Sequence, residues 1–354
     1  MRTIAKFILA VLVLFGLGAL GFGSFWHFST PERTCLSCHE IRPAGETWQQ
    51  SSHRNAPCKD CHGSTLSNGF HSLRENGRRV FYHLSDRHNE SIRLNEEQVS
   101  EMIARCRKCH EREYAGWLAS GHSMTYADVF LNEKHNKVEQ LNEDCLRCHG
   151  MFFEGRIQDV VSPVSTTGPW KLVNHELTHR AAIPCLACHQ VHFKGNPASK
   201  PDYSDPKTIA YKRGFPLQML SFYDRREKRN FGTDLLPHPA ILDGERRVDV
   251  APDSRNRICY QCHAPEAEHQ LATGDDRTPK GVHEGLSCFA CHAPHSLDTR
   301  QSCSGCHPRL SNCGLDVAKM DTTYAKPESG HNIHFVGCSE CHTKGVPPRR
   351  QRAS

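Results

Sequence analysis

The chain has 354 residues, of which 37% are hydrophobic, so it is long enough for several domains but poor in material for one large side-chain core. The formal net charge is +5 with both signs interspersed, and no basic stretch interleaved with aromatic residues indicates a nucleic-acid partner. The 19 cysteines and 25 histidines exceed any structural need and indicate metal or cofactor chemistry.

The first six residues carry two positive charges, Arg2 and Lys6, and an uncharged apolar run from Phe7 to Trp26 follows them. About twenty apolar residues are enough to cross a bilayer as a helix, and the preceding positive charges keep the N-terminus in the cytoplasm. A cleaved signal peptide shares this charge pattern, but its apolar core is usually shorter. We therefore expect an uncleaved signal-anchor helix over residues 1–29 in the inner membrane, with the rest of the chain in the periplasm.

Nine copies of Cys-x-x-Cys-His follow, and each is the attachment signature of a c-type haem. Two thiols bond to the vinyl groups of one porphyrin, and the adjacent histidine ligates the iron. The expected attachment residues are Cys35, Cys38, Cys58, Cys61, Cys106, Cys109, Cys145, Cys148, Cys185, Cys188, Cys259, Cys262, Cys288, Cys291, Cys303, Cys306, Cys338 and Cys341. The expected proximal ligands are His39, His62, His110, His149, His189, His263, His292, His307 and His342.

Zinc sites and disulfides are the alternatives for paired cysteines, but neither requires a histidine directly after every second cysteine. The motifs use eighteen of the nineteen cysteines, and we interpret the remaining one, Cys313, as an incidental or buried free thiol. We therefore predict a multihaem cytochrome c with nine covalently attached haems.

Sixteen histidines lie outside the motifs and are candidates for the distal face of each iron. Two imidazole ligands suit electron transfer, whereas an open face lets the iron bind small molecules. The sequence Trp-x-x-Ser-x-His follows both the first and the third motif. The favoured distal ligands are His53, His122, His179, His192, His283, His295 and His334, and weaker candidates are His83, His88, His175, His269 and His331. The sequence leaves open which of them serves which haem.

The uneven motif spacing predicts groups of haems rather than one regular array. After the anchor we expect a membrane-proximal dihaem module over 30–105, a trihaem module over 106–193, a haem-free insertion over 194–257, a tetrahaem cluster over 258–346 and a disordered basic tail over 347–354. The insertion is either a loop that packs over the haems or a docking surface.

The expected fold class is mainly α with extensive loops and little β-sheet, organised around stacked haems. Helices are predicted over 95–104, 111–119 and 134–142, and loops rich in Gly and Pro separate the motifs.

Three segments follow the apolar run in the sequence: Cys35-Leu-Ser-Cys38-His39, Trp48 to His53, and Cys58-Lys-Asp-Cys61-His62. In these elements the chain resembles the NapC/NirT family of membrane-anchored quinol dehydrogenases over residues 1–63. The resemblance implies electron uptake from membrane quinol and delivery to a periplasmic redox partner. Many members have a methionine ligand two residues after the first motif histidine. Because this chain has Ile41 there, its first haem needs another axial ligand.

The middle section, with Trp117, His122 and the Cys145–Gly150 stretch, is similar to multihaem cytochromes related to hydroxylamine oxidoreductase. The leading functional interpretation is an electron conduit from the quinol pool or an inner-membrane donor to a periplasmic or outer-membrane acceptor. The alternative is a terminal reductase of nitrite, hydroxylamine or a sulfur oxyanion, which needs one open-faced haem and charged side chains above it. No separate catalytic residues are identified, and a stand-alone enzyme is the less favoured interpretation.

Overall fold

The computed structural model describes residues 2–28, 36, 39–63, 77–78, 81–85, 93–192, 220–236, 240–264, 276–295, 306 and 333–337. Six motifs are fully described, the first and eighth in part, and the ninth lies outside these ranges. The predicted site residues outside the described ranges are Cys35, Cys38, Cys303, His307, Cys338, Cys341 and His342; so are Cys313, His88, His269 and His331. Residues 194–219 and 237–239 of the predicted insertion also lie outside them.

Helices are the main regular structure, at about 46% against 11% strand, which confirms the mainly α fold class. The α-helices are Arg2–Phe28, Arg42–Gln49, Cys58–His62, Glu96–Arg107, Glu111–Leu118, Tyr126–Phe130, Glu133–Asn136, Cys145–Cys148, Ile157–Val160, Asn256–His263 and Cys288–Cys291. Short 3-10 helices cover Gly121–Ser123, His175–Leu177, Cys185–Ala187 and Thr233–Leu235.

The β-structure of the described residues consists of four two-stranded pairs. Three are antiparallel: Val161–Ser162 with Lys171–Leu172, Ser221–Asp224 with Arg229–Gly232, and Leu242–Asp243 with Arg246–Arg247. The fourth, Lys280–Gly281 with Phe335–Val336, is parallel and joins segments far apart in sequence.

The three predicted helices differ in outcome. The first is Glu96–Arg107, three residues longer at its end than predicted, and the Asn95 side chain caps it by accepting the Gln98 amide at 2.9 Å. The second is Glu111–Leu118, in agreement with the prediction. The third prediction, 134–142, is wrong from Lys137 onward, because the helix ends at Asn136 and Leu141 turns inward to be 3% exposed in the core.

The N-terminal helix Arg2–Phe28 contains a 22-residue apolar span, Ile4–Phe25, that is long enough to cross a membrane. None of that span is buried against the protein, so its apolar side chains have no core to enter. The helix is therefore a candidate membrane anchor, although a signal sequence has the same length and composition.

The chain divides into two compact units. The first contains residues 1–109 and 191–196, and in it the motif helix Cys58–His62 packs on the helix Glu96–Arg107. The Arg105 guanidinium ties the two together by donating to the Cys61 carbonyl oxygen at 2.9 Å.

The second unit contains residues 110–190 and 197–354. One side-chain core in this unit surrounds Tyr126 and Phe130, which are 1% and 0% exposed, and takes in Leu146 from the fourth motif. A smaller core contains Ile241, Val248, Tyr260 and Ala264. Tyr260 belongs to the sixth motif, so both cores fix haem-attachment segments directly.

Candidate haem-binding sites

Four of the motifs begin on a helical turn at their first cysteine: Cys58–His62, Cys145–Cys148, Cys185–Ala187 and Cys288–Cys291. In such a turn residues i and i+3 lie on the same side, so the two thiols of each motif face one porphyrin edge. The backbone amides of His149, His189 and His292 donate to the carbonyl of the first cysteine of their motif at 2.9, 3.0 and 2.8 Å. The local fold therefore fixes each motif histidine relative to its cysteines.

Four motif histidines each lie against a histidine from outside the motifs. The ring centroids are 5.9 Å apart for His62–His192, 6.1 Å for His122–His263, 5.8 Å for His189–His295 and 6.0 Å for His292–His334. Two imidazoles on opposite sides of one iron, each with a metal–nitrogen bond of about 2 Å, have centroids about 6 Å apart. The four pairs therefore fit the space that an axially ligated iron requires.

The His192 ring shows how a distal imidazole is oriented. Its Nδ1 lies 2.8 Å from the Ala44 carbonyl oxygen, and a carbonyl can only accept, so Nδ1 carries the proton. Nε2 is then the nitrogen with a free lone pair, as an iron ligand needs. All three residues concerned, Ala44, His62 and His192, belong to the first unit.

A fifth pair lies at the first motif, where the His39 and His83 ring centroids are 5.4 Å apart. The Glu40 Oε1 atom is 2.5 Å from His83 Nδ1 and 3.4 Å from His39 Nε2. Ligand atoms of these three residues all lie within 4.8 Å of one another. The structure thus places His83, one of the weaker candidates from the sequence, beside the first proximal histidine.

Burial disfavours the charged form of three imidazoles in the second unit. Burial lowers the pKa of His122, and the nearby His263, His292 and His295 lower it further. Burial also lowers the pKa of His292 and of His295. Because only an unprotonated nitrogen can bind iron, these shifts favour ligation at neutral pH.

Several attachment thiols of the second unit lie where a charged sulfur is disfavoured. Burial raises the pKa of Cys188 to about 12. Contact with the Cys148 thiol, together with burial, raises the pKa of Cys262, and contact with Cys288 does the same for Cys259. A thioether bond to haem leaves the sulfur uncharged, so these surroundings suit the attached cofactor.

These sulfur contacts also show how the motifs of the second unit are arranged. The sixth motif contacts the fourth through Cys262 and Cys148, and the seventh through Cys259 and Cys288. Cys188 of the fifth motif is close enough to Cys259 to raise its own pKa. Four attachment sites therefore meet around the segment 259–263.

A buried polar network that the sequence analysis missed holds the sixth and seventh motifs together. The Ser287 Oγ atom lies 3.0 Å from Asp253 Oδ2 and 3.1 Å from Asn256 Oδ1, and the Cys288 amide donates to the same Asn256 oxygen at 3.2 Å. Asp253, Asn256 and Ser287 are all less than 4% exposed, and Arg255 pairs with Asp253 at 2.6 Å. No sequence signal singles these residues out, because each is polar and common in loops.

The Trp-x-x-Ser-x-His repeat forms the same hydrogen bonds in both copies. Ser51 Oγ donates to the Trp48 carbonyl at 2.8 Å and accepts the His53 amide at 3.1 Å. Ser120 Oγ makes the equivalent bonds to Trp117 and His122, at 2.7 and 3.2 Å. The indole N–H of each tryptophan donates at 3.2 Å to the residue just before the Pro-Cys start of a later motif, Ala56 for Trp48 and Ile183 for Trp117.

The other favoured histidines have different surroundings. His53 Nδ1 is 3.3 Å from Ser52 Oγ, His283 Nδ1 is 3.3 Å from the Ile333 carbonyl, and His179 is exposed. His110 lies close enough to His295 to lower its pKa. The ligand roles of these residues stay predictions, as do those of all the site residues named from the sequence.

Two models of known families match parts of the chain. The model of the NapC/NirT cytochrome c family, N-terminal region, matches residues 1–152, and the cytochrome c554 and c-prime model matches residues 236–293. No curated protein and no solved structure is significantly similar to the chain.

The attachment motifs and the two family matches together define a multihaem c-type cytochrome, an electron-transfer protein with covalently bound haem c. More particularly, its N-terminal region is similar to the NapC/NirT cytochrome c family, and the match extends well beyond the residues 1–63 in which the sequence motifs indicated it. The c554 match covers the sixth and seventh motifs and lies outside the middle section where the second resemblance was seen.

Proposed function

We propose that this cytochrome is a membrane-anchored nonahaem electron conduit. It takes electrons from membrane quinol or an inner-membrane donor and passes them to a periplasmic redox partner or an outer-membrane acceptor. Residues 1–29 form an uncleaved anchor in the inner membrane, and the haem domain lies in the periplasm. Haem c supplies reversible one-electron transfer when bound.

The observation that carries this proposal is the set of four histidine pairs with ring centroids 5.8–6.1 Å apart. In each pair the motif histidine is the proximal ligand and the other is the distal ligand. His192 thus serves the haem of the second motif, His122 that of the sixth, His295 that of the fifth and His334 that of the seventh. Iron with two imidazoles has no open position for nitrite or hydroxylamine, which favours the conduit over a terminal reductase.

The arrangement of the second unit supports the same function. The contacts of Cys148 with Cys262, and of Cys259 with Cys188 and Cys288, bring the attachment segments of four motifs together. Such close attachment suits transfer between cofactors.

Electron paramagnetic resonance of the oxidised, detergent-purified chain, with haem counted on the same sample, tests this function. Low-spin ferric signals that account for nine haems support the conduit. A high-spin signal that shifts when nitrite or hydroxylamine is added contradicts it and favours the terminal reductase. A count below nine contradicts the nonahaem assignment.

The quinol donor rests on the NapC/NirT match, which begins at the anchor and includes the first four motifs. We expect a short-chain menaquinol or ubiquinol analogue to reduce the full-length protein in detergent within the mixing time of a stopped-flow experiment. Dithionite, which reduces any accessible haem, is the control. Reduction by dithionite and not by either quinol contradicts a quinol donor and leaves an inner-membrane protein as the donor.

A further inference from the structure

His295 has an unusual backbone. Its φ is +55°, in the left-handed region, and it shares this property with only one other non-glycine residue in the described ranges, Lys228. Lys228 lies in the tight turn between the strands Ser221–Asp224 and Arg229–Gly232, which explains its conformation. Left-handed backbone costs a non-glycine residue about 1–2 kcal/mol, so the surroundings of His295 must hold it in place.

Gly116 supplies that contact. A Cβ atom built on Gly116 would overlap the His295 carbonyl oxygen, would lie 2.6 Å from the carbonyl carbon and would lie 3.2 Å from the His295 Cβ. Gly116 is inside the helix Glu111–Leu118, where glycine is less stable than alanine by about 1 kcal/mol. The close approach of the two backbones is the reason that only glycine fits there.

The helix Glu111–Leu118 also holds the segment that leads into the motif Cys185–His189, the motif whose haem is assigned to His295. The neighbouring Trp117 donates its indole N–H to the Ile183 carbonyl at 3.2 Å, and Ile183 leads through Pro184 into the motif Cys185–His189. The rings of His189 and His295 lie 5.8 Å apart with 25° between their planes. The helix Glu111–Leu118 therefore contacts both the segment that leads into the motif Cys185–His189 and the distal histidine, His295.

The first unit repeats this arrangement with different residues. There the helix Arg42–Gln49 holds the entry to the second motif through Trp48 and Ala56, and its Ala44 carbonyl accepts from His192, which lies 5.9 Å from His62. His192 and His295 also come from the same kind of sequence, Cys-x-x-Cys-His-x-x-His. In both units, therefore, one helix contacts the segment that enters a haem-attachment motif and also the histidine that faces that motif. The repetition indicates that these helices position the distal histidines.

We infer that Gly116 is a positioning residue that sets His295 as the distal ligand of the haem attached at Cys185 and Cys188. The inference rests on the proposed ligand pairs and deepens them. The helix Glu111–Leu118 holds the His295 carbonyl by direct backbone contact, and any larger residue at position 116 pushes it away. The imidazole then no longer reaches its place opposite His189.

The test compares H295A, G116A and the control G77A in the full-length holoprotein, by electron paramagnetic resonance with haem counting. Gly77 has helical backbone, and no atom lies within 4 Å of an added Cβ. We expect H295A and G116A each to convert one low-spin haem to high-spin, and added imidazole to reverse the change. G77A keeps the wild-type spectrum, and the double variant G116A/H295A loses no further low-spin haem.

The outcomes distinguish the proposed pairing of His189 with His295 from the proposed role of Gly116. If H295A keeps every low-spin signal, the proposed pairing of His189 with His295 is wrong. If H295A loses one signal and G116A loses none, the pairing stands and the role of Gly116 is overturned. If the G116A protein does not accumulate, the double variant G116A/H295G decides, because a glycine at position 295 lets the backbone carbonyl of that residue move away from the added methyl group. A double variant that accumulates with the full haem count supports the contact between residues 116 and 295. A double variant that also fails to accumulate refutes it.

Discussion

The imidazole rings of His292 and His334 lie 6.0 Å apart, and their planes differ by 11°. His334 reaches this position through β-pairing, because its carbonyl accepts the Lys280 amide at 2.6 Å beside the parallel strands Lys280–Gly281 and Phe335–Val336. The pairing of two segments far apart in sequence thus delivers a second imidazole to the seventh motif.

Replacing His334 with alanine is expected to leave one haem with a single imidazole. The backbone pairing that carries His334 uses its carbonyl, so the fold persists while the ligand is lost. We expect the ferric low-spin signal to fall by one haem, a high-spin signal to appear, and free imidazole to restore the original spectrum.

The control for this variant is H135A. His135 is 48% exposed and lies 3.3 Å from Glu139, and it belongs to no proposed pair. Its removal leaves the haem spectrum unchanged. A wild-type spectrum for H334A would show that His334 does not ligate iron and that its distance from His292 has another cause.

The limits of prediction from sequence follow from the range over which each feature is determined. The motif and its proximal histidine are local, so Cys58 to His62 could be identified without a structure. The distal partner depends on the tertiary fold: His122 and His263 are far apart in sequence, and only packing brings them within 6.1 Å. The third predicted helix failed for a related reason, since the burial of Leu141 overrides the helical pattern around it.

Glu40 offers a test of how charge affects the first haem. Its carboxylate lies between His83 and His39, and its own backbone amide and the bond to His83 hold its pKa below the usual 4.5, so it is ionised at neutral pH. A nearby negative charge stabilises the ferric state. We expect E40Q to raise the reduction potential of one haem by on the order of tens of millivolts in a redox titration.

The matched control is E46Q, which removes the same charge from an exposed position on the helix Arg42–Gln49. It leaves the titration within error of the wild type. Equal shifts in both variants would mean that the potential responds to net charge alone and that Glu40 has no specific contact with the first haem site.

Ser287 links two haem-attachment segments through a buried network. S287A removes the hydroxyl that donates to the Asp253 and Asn256 oxygens and accepts the Phe289 amide at 3.2 Å, while Asp253 keeps Arg255 and Asn256 keeps the Cys288 amide as partners. A net hydrogen bond contributes about 0.5–1.5 kcal/mol, so the free energy of unfolding in urea should fall by that amount. T166A, which removes an exposed hydroxyl, serves as the control; a S287A protein as stable as T166A would contradict a structural role for the network.

Asp128 gives a prediction with a defined pH dependence. It accepts the Thr125 amide at 2.9 Å and the Thr125 hydroxyl at 2.8 Å, which caps the helix Tyr126–Phe130 and holds its pKa below the ordinary 3.8. The helix carries Tyr126 and Phe130, both fully buried in the main core. We expect D128N to lower the free energy of unfolding by about 0.5–1 kcal/mol at pH 7.

The sign of the pH effect follows from the lowered pKa. The ionised Asp128 carboxylate contributes its full stabilisation above pH 3.8, and the contribution declines below that pH and is lost once the pH falls through the pKa of the folded state. Urea unfolding followed by circular dichroism should therefore show a constant gap between wild type and D128N at pH 5–8 that closes under acid. T166A, which changes no ionisable group, is the control, and its free energy of unfolding should follow that of the wild type across this pH range. A gap for D128N that persists under acid would mean that the loss comes from altered packing rather than from the charge.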